Sequence, residues 1–287
     1  MSPAPLLIAG IFDPYRYQFF TNGVVVATIA GALCGLLGVF VVLRGMSYIG
    51  HGLSHAVFGG AAASAVMQLN YFVGAGIWGV ASGVIIGRIA RRRLIGADAA
   101  IGVVTTASFA LGLALLNRFG QAKKSIEAVL FGSVLGVRTA DIIAVALVTV
   151  LTVVVVVVLY RRLLFATFDP DVAQVSGVKV AWIEALLMVL LSLTILVTMR
   201  VIGTLLISAL LVIPASVARM TTNSFARMLW ISPIVGALSG FLGMNLSYHL
   251  DTSASATIIL VATAMFISVY TVSGIRGRSR IAHVHHV

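Results

Sequence analysis

Nine apolar runs, divided by short stretches that hold most of the charge, leave this chain few ways to fold. They cover residues 19–43, 53–69, 72–90, 100–116, 142–160, 182–198, 203–218, 228–248 and 256–272. A helix that crosses the hydrocarbon core of a bilayer needs about 20 mostly apolar residues. The runs at 53–69 and 203–218 are short, so either could be broken, tilted or re-entrant. Only 9% of the residues are charged, against about 25% in a soluble domain, so lipid must cover much of the surface. Long uninterrupted runs, rather than strict alternation, predict helices and not a barrel. The predicted fold is all-α: a polytopic membrane helix bundle of eight or nine transmembrane helices.

The charges orient the bundle. Arg88, Arg91, Arg92 and Arg93 form one cluster; Arg161 and Arg162 follow two runs later, Arg219 and Arg227 two more, and Arg276, Arg278 and Arg280 another two. Basic residues collect in cytoplasmic loops, so all four groups face inward and the C-terminus is cytoplasmic. Nine crossings put the N-terminus outside; eight put it inside. Lys123, Lys124 and Arg138 fall on the outer side, an exception to the pattern. This topology accounts for the net charge of +11 without nucleic-acid binding. Residues 1–275 read as a single transmembrane domain and 276–287 as a basic, His-containing tail. Cys34 is the one cysteine, which rules out an intrachain disulfide. The first apolar run is expected to be a retained helix rather than a cleaved signal.

His51 and His55 carry the clearest chemistry. Four residues apart on a helix, they share a face and can meet one ion. Ionisable groups inside a membrane segment are costly and usually line a substrate path, and two imidazoles suit a divalent transition metal. Metal and protons compete for the imidazole nitrogens, so metal affinity is expected to weaken as pH falls through about 6.5. Titration of the purified protein between pH 5 and 7.5 checks this; an unchanged affinity would contradict it. No metalloprotease motif is present, because Gly52 stands where the catalytic Glu would be. There is no phosphate-binding loop either, and no nucleophile–base set, so the chain is not expected to be an enzyme or to hydrolyse ATP itself.

On the inner side, residues 165–179 form the longest stretch between runs. Asp169 suits a helix N-cap, Pro170 the first helical position and Gly177 the end, which predicts a short cytoplasmic helix: an ordinary loop helix, or a coupling helix docking on a partner ATPase, with Ala173 and Gly177 small enough for close approach. Asp98 is expected to cap a helix beginning near Ala100, and Glu184 to lie in the first turn of its span, where an acid suits the helix dipole. Pro214 should kink or break its helix, as a hinge or a static bend. His249 and Asp251, at the outer end of a span, could help a metal enter or belong to an interfacial loop. His283, His285 and His286 could bind metal weakly or form a tail without function.

Four segments together resemble the membrane permease subunits of bacterial ABC importers for manganese, zinc and iron. They are Val41-Val42-Leu43-Arg44-Gly45-Met46-Ser47 running into Ser54-His55-Ala56-Val57; Ala128-Val129-Leu130-Phe131-Gly132-Ser133-Val134-Leu135; Phe168-Asp169 through Ala173 and Gly177; and Val201-Ile202-Gly203-Thr204-Leu205-Leu206-Ile207-Ser208-Ala209-Leu210-Leu211-Val212-Ile213-Pro214-Ala215. The resemblance implies a bacterial plasma-membrane protein with a second copy of itself, two cytoplasmic ATP-binding subunits and an extracytoplasmic metal-binding lipoprotein as partners. It implies no permanently bound cofactor, only a transported metal, and gives Asp169, Ala173 and Gly177 to ATPase coupling. The family usually shows Asp-x-x-x-His; here His51 occupies the Asp position and His55 matches the His. A second imidazole is softer than a carboxylate and favours zinc, copper or nickel by affinity, while the Arg44-Gly45-Met46-Ser47 context is closest to manganese-type members. Manganese stands first, zinc second and iron third. A transporter driven by an ion gradient, without an ATPase, is the other reading.

Overall fold

The computed structural model describes residues 13–91, 95–119 and 136–284. Arg92, Arg93, Lys123, Lys124, the 128–135 segment, His285 and His286 lie outside them. The described chain is helical, with no strand. A 3-10 turn, Asp13–Arg16, precedes α1 (Gln18–Leu43), α2 (Ile49–Val66), α3 (Tyr71–Arg91), α4 (Ala97–Phe119), α5 (Thr139–Val158), α6 (Tyr160–Phe168), α7 (Pro170–Val175), α8 (Val180–Ile202), α9 (Thr204–Thr221), α10 (Phe225–Leu250) and α11 (Ala254–Val284). Seven of these, namely α1, α3, α4, α5, α8, α10 and α11, are long and apolar enough to cross a membrane. The two short runs become α2 and α9. The 18 residues of α2 extend about 27 Å at 1.5 Å per residue, but its two histidines, four glycines and two serines dilute its apolar character.

The bundle is held by backbone-close helix pairs. Along α1, Ala27, Gly31 and Gly35 face Gly240, Gly236 and Ser232 of α10 in turn. Each step of four residues up one helix matches a step of four down the other, so the two run antiparallel. A methyl group on Gly31 would lie 2.8 Å from the Gly236 carbonyl carbon, and one on Gly236 equally close to that of Gly31. Ser232 Oγ donates to the Gly35 carbonyl at 2.6 Å. In lipid, no difference in solvation drives helices together, so small residues that let backbones touch supply the dispersion contact instead. The same device places α2: Gly60 sits against Gly74 and Trp78 of the antiparallel α3, while Gly52 and Gly59 sit against Thr105 and Ser108 of α4, which runs parallel to α2.

Contacts identify the two ends of the bundle. At one, Tyr15 Oη donates to Asn245 Oδ1 at 2.9 Å and Phe20 meets Tyr248. At the other, Phe40, Tyr160 and Phe168 surround Phe225. The apolar run expected to end at residue 160 stops at Leu159, where the backbone turns (φ −99°, ψ 14°) into α6. Leu163, Ala166 and Thr167 of α6 are buried, so this helix packs on the bundle instead of serving as a loop. Pro214 does not break α9, which is helical through it. The helix holding Asp98 begins at Ala97, so this acid lies within its first turn rather than at the cap. Glu184 falls beyond the first turn of α8; two arginines, not the helix dipole, hold it.

Candidate functional site

The link from α1 to α2 is a tight reversal. Gly45 has φ +65°, the left-handed conformation that closes a helix. Its N–H donates to the Val42 carbonyl at 3.1 Å, and the Met46 N–H to the Val41 carbonyl at 3.0 Å. The Ile49 N–H then donates to the Met46 carbonyl at 2.9 Å, so α2 starts almost without slack. His51 and His55 therefore stand in the first two turns of α2, half-buried. Their rings meet edge to face with centroids 4.6 Å apart, and their Nε2 atoms are 3.2 Å apart.

That separation serves two chemistries. Without metal, the two Nε2 atoms are within hydrogen-bond distance, the tautomers deciding which would donate. With metal, both lone pairs turn to one ion; for zinc, bonds of about 2.0–2.1 Å at a tetrahedral angle set two nitrogens about 3.3 Å apart. A shared proton and an ion can thus replace each other with little motion. Aromatic rings fix the pair from two sides, Tyr48 beside His51 at 5.7 Å and Phe109 of α4 against His55 at 4.9 Å. Phe58 backs Phe109 at 5.3 Å. Phe109 stands halfway along α4, so His55 lies near mid-depth of the bundle. Gly50, packed on Leu211 and Ser208 of α9, lets α2 approach from the other side.

Among the described residues no third His, Cys, Asp or Glu joins the pair. His249 and Asp251 stay apart from it, exposed at the C-terminal end of α10, where Asp251 adopts a left-handed conformation (φ 50°) after the helix. The side chain of His283 is not described, and His285 and His286 lie outside the described residues.

The expected short helix is present as α7. Asp169 Oδ1 accepts from the Val172 N–H at 2.9 Å, Pro170 occupies the first turn, and Gly177 ends it with φ +80°. Ala173 is 0% exposed, so its small side chain serves packing of α7 on this chain. The outward face is instead Val172 and Val175, the latter 91% exposed; sequence reasoning missed both.

It also missed the ion cluster at this end of the bundle. Glu184 of α8 lies 3.7 Å from Arg44 Nη1 and 3.3 Å from Arg91 Nη1. Arg44 Nη2 donates to the Ala166 carbonyl of α6 at 3.2 Å. The available signal was Glu184 itself, an acid within an apolar run, which demands a partner. A cavity of about 1030 Å³ opens here, lined among others by Arg44, Met46, Arg91, Asp171, Gly177 and Glu184.

Comparison with known proteins agrees with this architecture. Residues 16–273 match the ABC 3 transport family model. A manganese transport system membrane protein, MntC, of Listeria innocua is 34% identical over 251 residues, 88% of this chain and 89% of the relative. The manganese import system permease protein ScaB of Streptococcus parasanguinis is 36% identical over 254 residues, 88% and 90% of the two chains. The solved structure of PsaBC from Streptococcus pneumoniae in complex with Fab superposes with a TM-score of 0.81 at 33% identity, covering 92% of this chain and 95% of that one. With a family match across almost the whole helical bundle and relatives of this identity and coverage, the chain belongs to the ABC 3 transport family of membrane permeases.

Proposed function

We propose that this chain is the membrane permease of an ATP-driven importer of a divalent transition metal, with manganese as the cargo. The observation that carries the reading is the pair of Nε2 atoms 3.2 Å apart near mid-depth of a lipid-solvated bundle. Its relatives MntC and ScaB are named for manganese transport and import, which supports the choice of metal. His51 and His55 take part in transient coordination, with water completing the shell. His249 and Asp251 stand at the far end of α10, where an ion delivered from outside first meets the protein. A second copy of the chain, two ATP-binding subunits and an extracytoplasmic metal-binding lipoprotein complete the assembly. The ATP-binding subunits dock on the face of α7 that shows Val172 and Val175, positioned by Asp169, Ala173 and Gly177. Pro214 leaves a hydrogen bond missing within α9, which suits a flexing point.

We read nine crossings. Arg44 at the end of α1 and Arg91 at the end of α3 share Glu184, so α1 and α3 finish on the same side. The packing of α2, antiparallel to α3 and parallel to α4, supports α2 as the returning crossing. The basic residues at that side support a cytoplasmic assignment, a reading with the N-terminus outside and the C-terminus inside.

The test is uptake by cells with and without this chain, supplied with manganese, zinc and iron at equal free-ion activity. Loss of manganese uptake with little change in the other two is expected; loss of zinc or iron uptake alone overturns the metal assignment. A finer expectation concerns His51→Asp. A carboxylate is a harder ligand than imidazole, so this variant should keep manganese uptake while zinc competes less well, read as a higher zinc concentration for half-inhibition. Gly177→Val should uncouple transport: a β-branched residue is strained at φ +80°, at a cost of about 1–2 kcal/mol. Reduced retention of the ATP-binding subunits on affinity purification checks it.

A further inference from the structure

We infer that Arg44 is the positioning residue that carries movement of α6 and α7 to the His51–His55 pair. This rests on the import reading above. Arg44 lies at the junction of four elements. Its backbone caps α1, its Nη2 is bonded to the Ala166 carbonyl of α6 at 3.2 Å, and its Nη1 faces Glu184 of α8, which also holds Arg91 of α3. Only 8% of the Arg44 side chain is exposed, and its Nε has no hydrogen-bond partner among the described residues. A desolvated guanidinium separated from its remaining acceptors leaves an uncompensated charge. When one of these elements shifts, the others must follow or the cluster must open as a unit.

Both directions of the linkage are short. Ala166 stands three residues before Asp169, which ends α6 and caps α7, so displacement of α7 reaches the Ala166 carbonyl with almost no loss. On the other side, the bonds from Gly45 to Val42, Met46 to Val41 and Ile49 to Met46 tie Arg44 to the first turn of α2, where His51 sits. Docking or release of an ATP-binding subunit on α7 therefore pulls on Arg44, and Arg44 re-aims His51 relative to His55. The geometry of the pair decides whether one ion can be held by both rings.

The experiment uses the assembled permease with its ATP-binding subunits in proteoliposomes, and Arg44→Lys. Lysine keeps the charge facing Glu184 but lacks the planar fork that reaches two acceptors at once. A reporter thiol is placed in the link as Ser47→Cys, an exposed position; the native Cys34 is buried and stays silent. Manganese uptake per ATP hydrolysed is expected to drop about tenfold, within the usual range of coupling between sites. Manganese binding without nucleotide should stay within about twofold of the parent. The ATP-dependent change in alkylation rate at the reporter should vanish. Retention of both normal uptake per ATP and the alkylation change in Arg44→Lys overturns the role. Arg44→Gln gives the same readouts if the lysine variant does not assemble; failure of both to assemble makes Arg44 a folding residue and also overturns it. A parent complex that imports no metal with ATP would instead refute the import reading itself.

Discussion

His51→Ala and His55→Ala should each reduce manganese uptake by more than tenfold while the protein still inserts and binds its ATP-binding subunits. Changing an outer-shell partner of a metal ligand costs about 10–100-fold in affinity or activity, and removing one of two protein ligands should cost at least that. Neither imidazole is a fully buried packing element; both are half-buried, and α2 is held by its glycine contacts with α3, α4 and α9. Loss of uptake should therefore come without loss of folded protein, measured as membrane content and thermal midpoint. His55→Ala also frees Phe109, whose ring rests 4.9 Å from His55, so its uptake loss should be the larger. Normal uptake in both variants would remove the metal assignment.

The second large effect is structural. Gly236→Leu or Gly31→Leu should prevent α1 and α10 from closing. At both positions the first side-chain carbon would overlap the backbone carbonyl of the opposite helix, and a backbone cannot rotate aside as a side chain can. Overpacking costs about 1–3 kcal/mol where side chains give way, and more where they cannot; about 3 kcal/mol or more is expected here. Separation of the helices also breaks the bond from Ser232 to the Gly35 carbonyl. The measurement is the thermal midpoint in detergent together with the monodisperse fraction on size exclusion. Gly102 is the control: a methyl group there meets nothing within 4 Å among the described residues, so Gly102→Ala should be neutral or mildly stabilising, because alanine is the better helix former. Equal behaviour of Gly102→Ala and Gly236→Leu would show that the close pairing does not govern stability.

What could be read from the residues depended on how local its cause was. The apolar runs became helices because a chain in lipid must satisfy its backbone internally. Asp169, Pro170 and Gly177 announced α7 because capping acts over a few residues, and the spacing of His51 and His55 sufficed to place them on one face. The ion cluster was not legible in the same way. Glu184 has its partners at positions 44 and 91, and only tertiary packing shows which basic residues reach it; a dipole role was the local guess. The extra helix α6 was hidden for a related reason: Arg161 and Arg162 looked like the flank of a span, while the burial of Leu163 and Ala166 depends on helices far away in sequence. Ala173 looked like a docking surface because it is small, yet its own chain covers it.

The interlocked ridge between α1 and α10 also bears on how the protein can move. Helices whose backbones touch at three successive turns cannot slide or roll past each other, so they act as one beam. From Gly52 onward, the glycine contacts of α2 with α3 and α4 make a second beam, which leaves the first turn, with His51, outside it. Between α1 and α2 the chain offers a single articulation, residues 44–48, with left-handed Gly45 at its centre. Rocking of one beam against the other would turn about that joint, and His51 rides on the first turn beyond it.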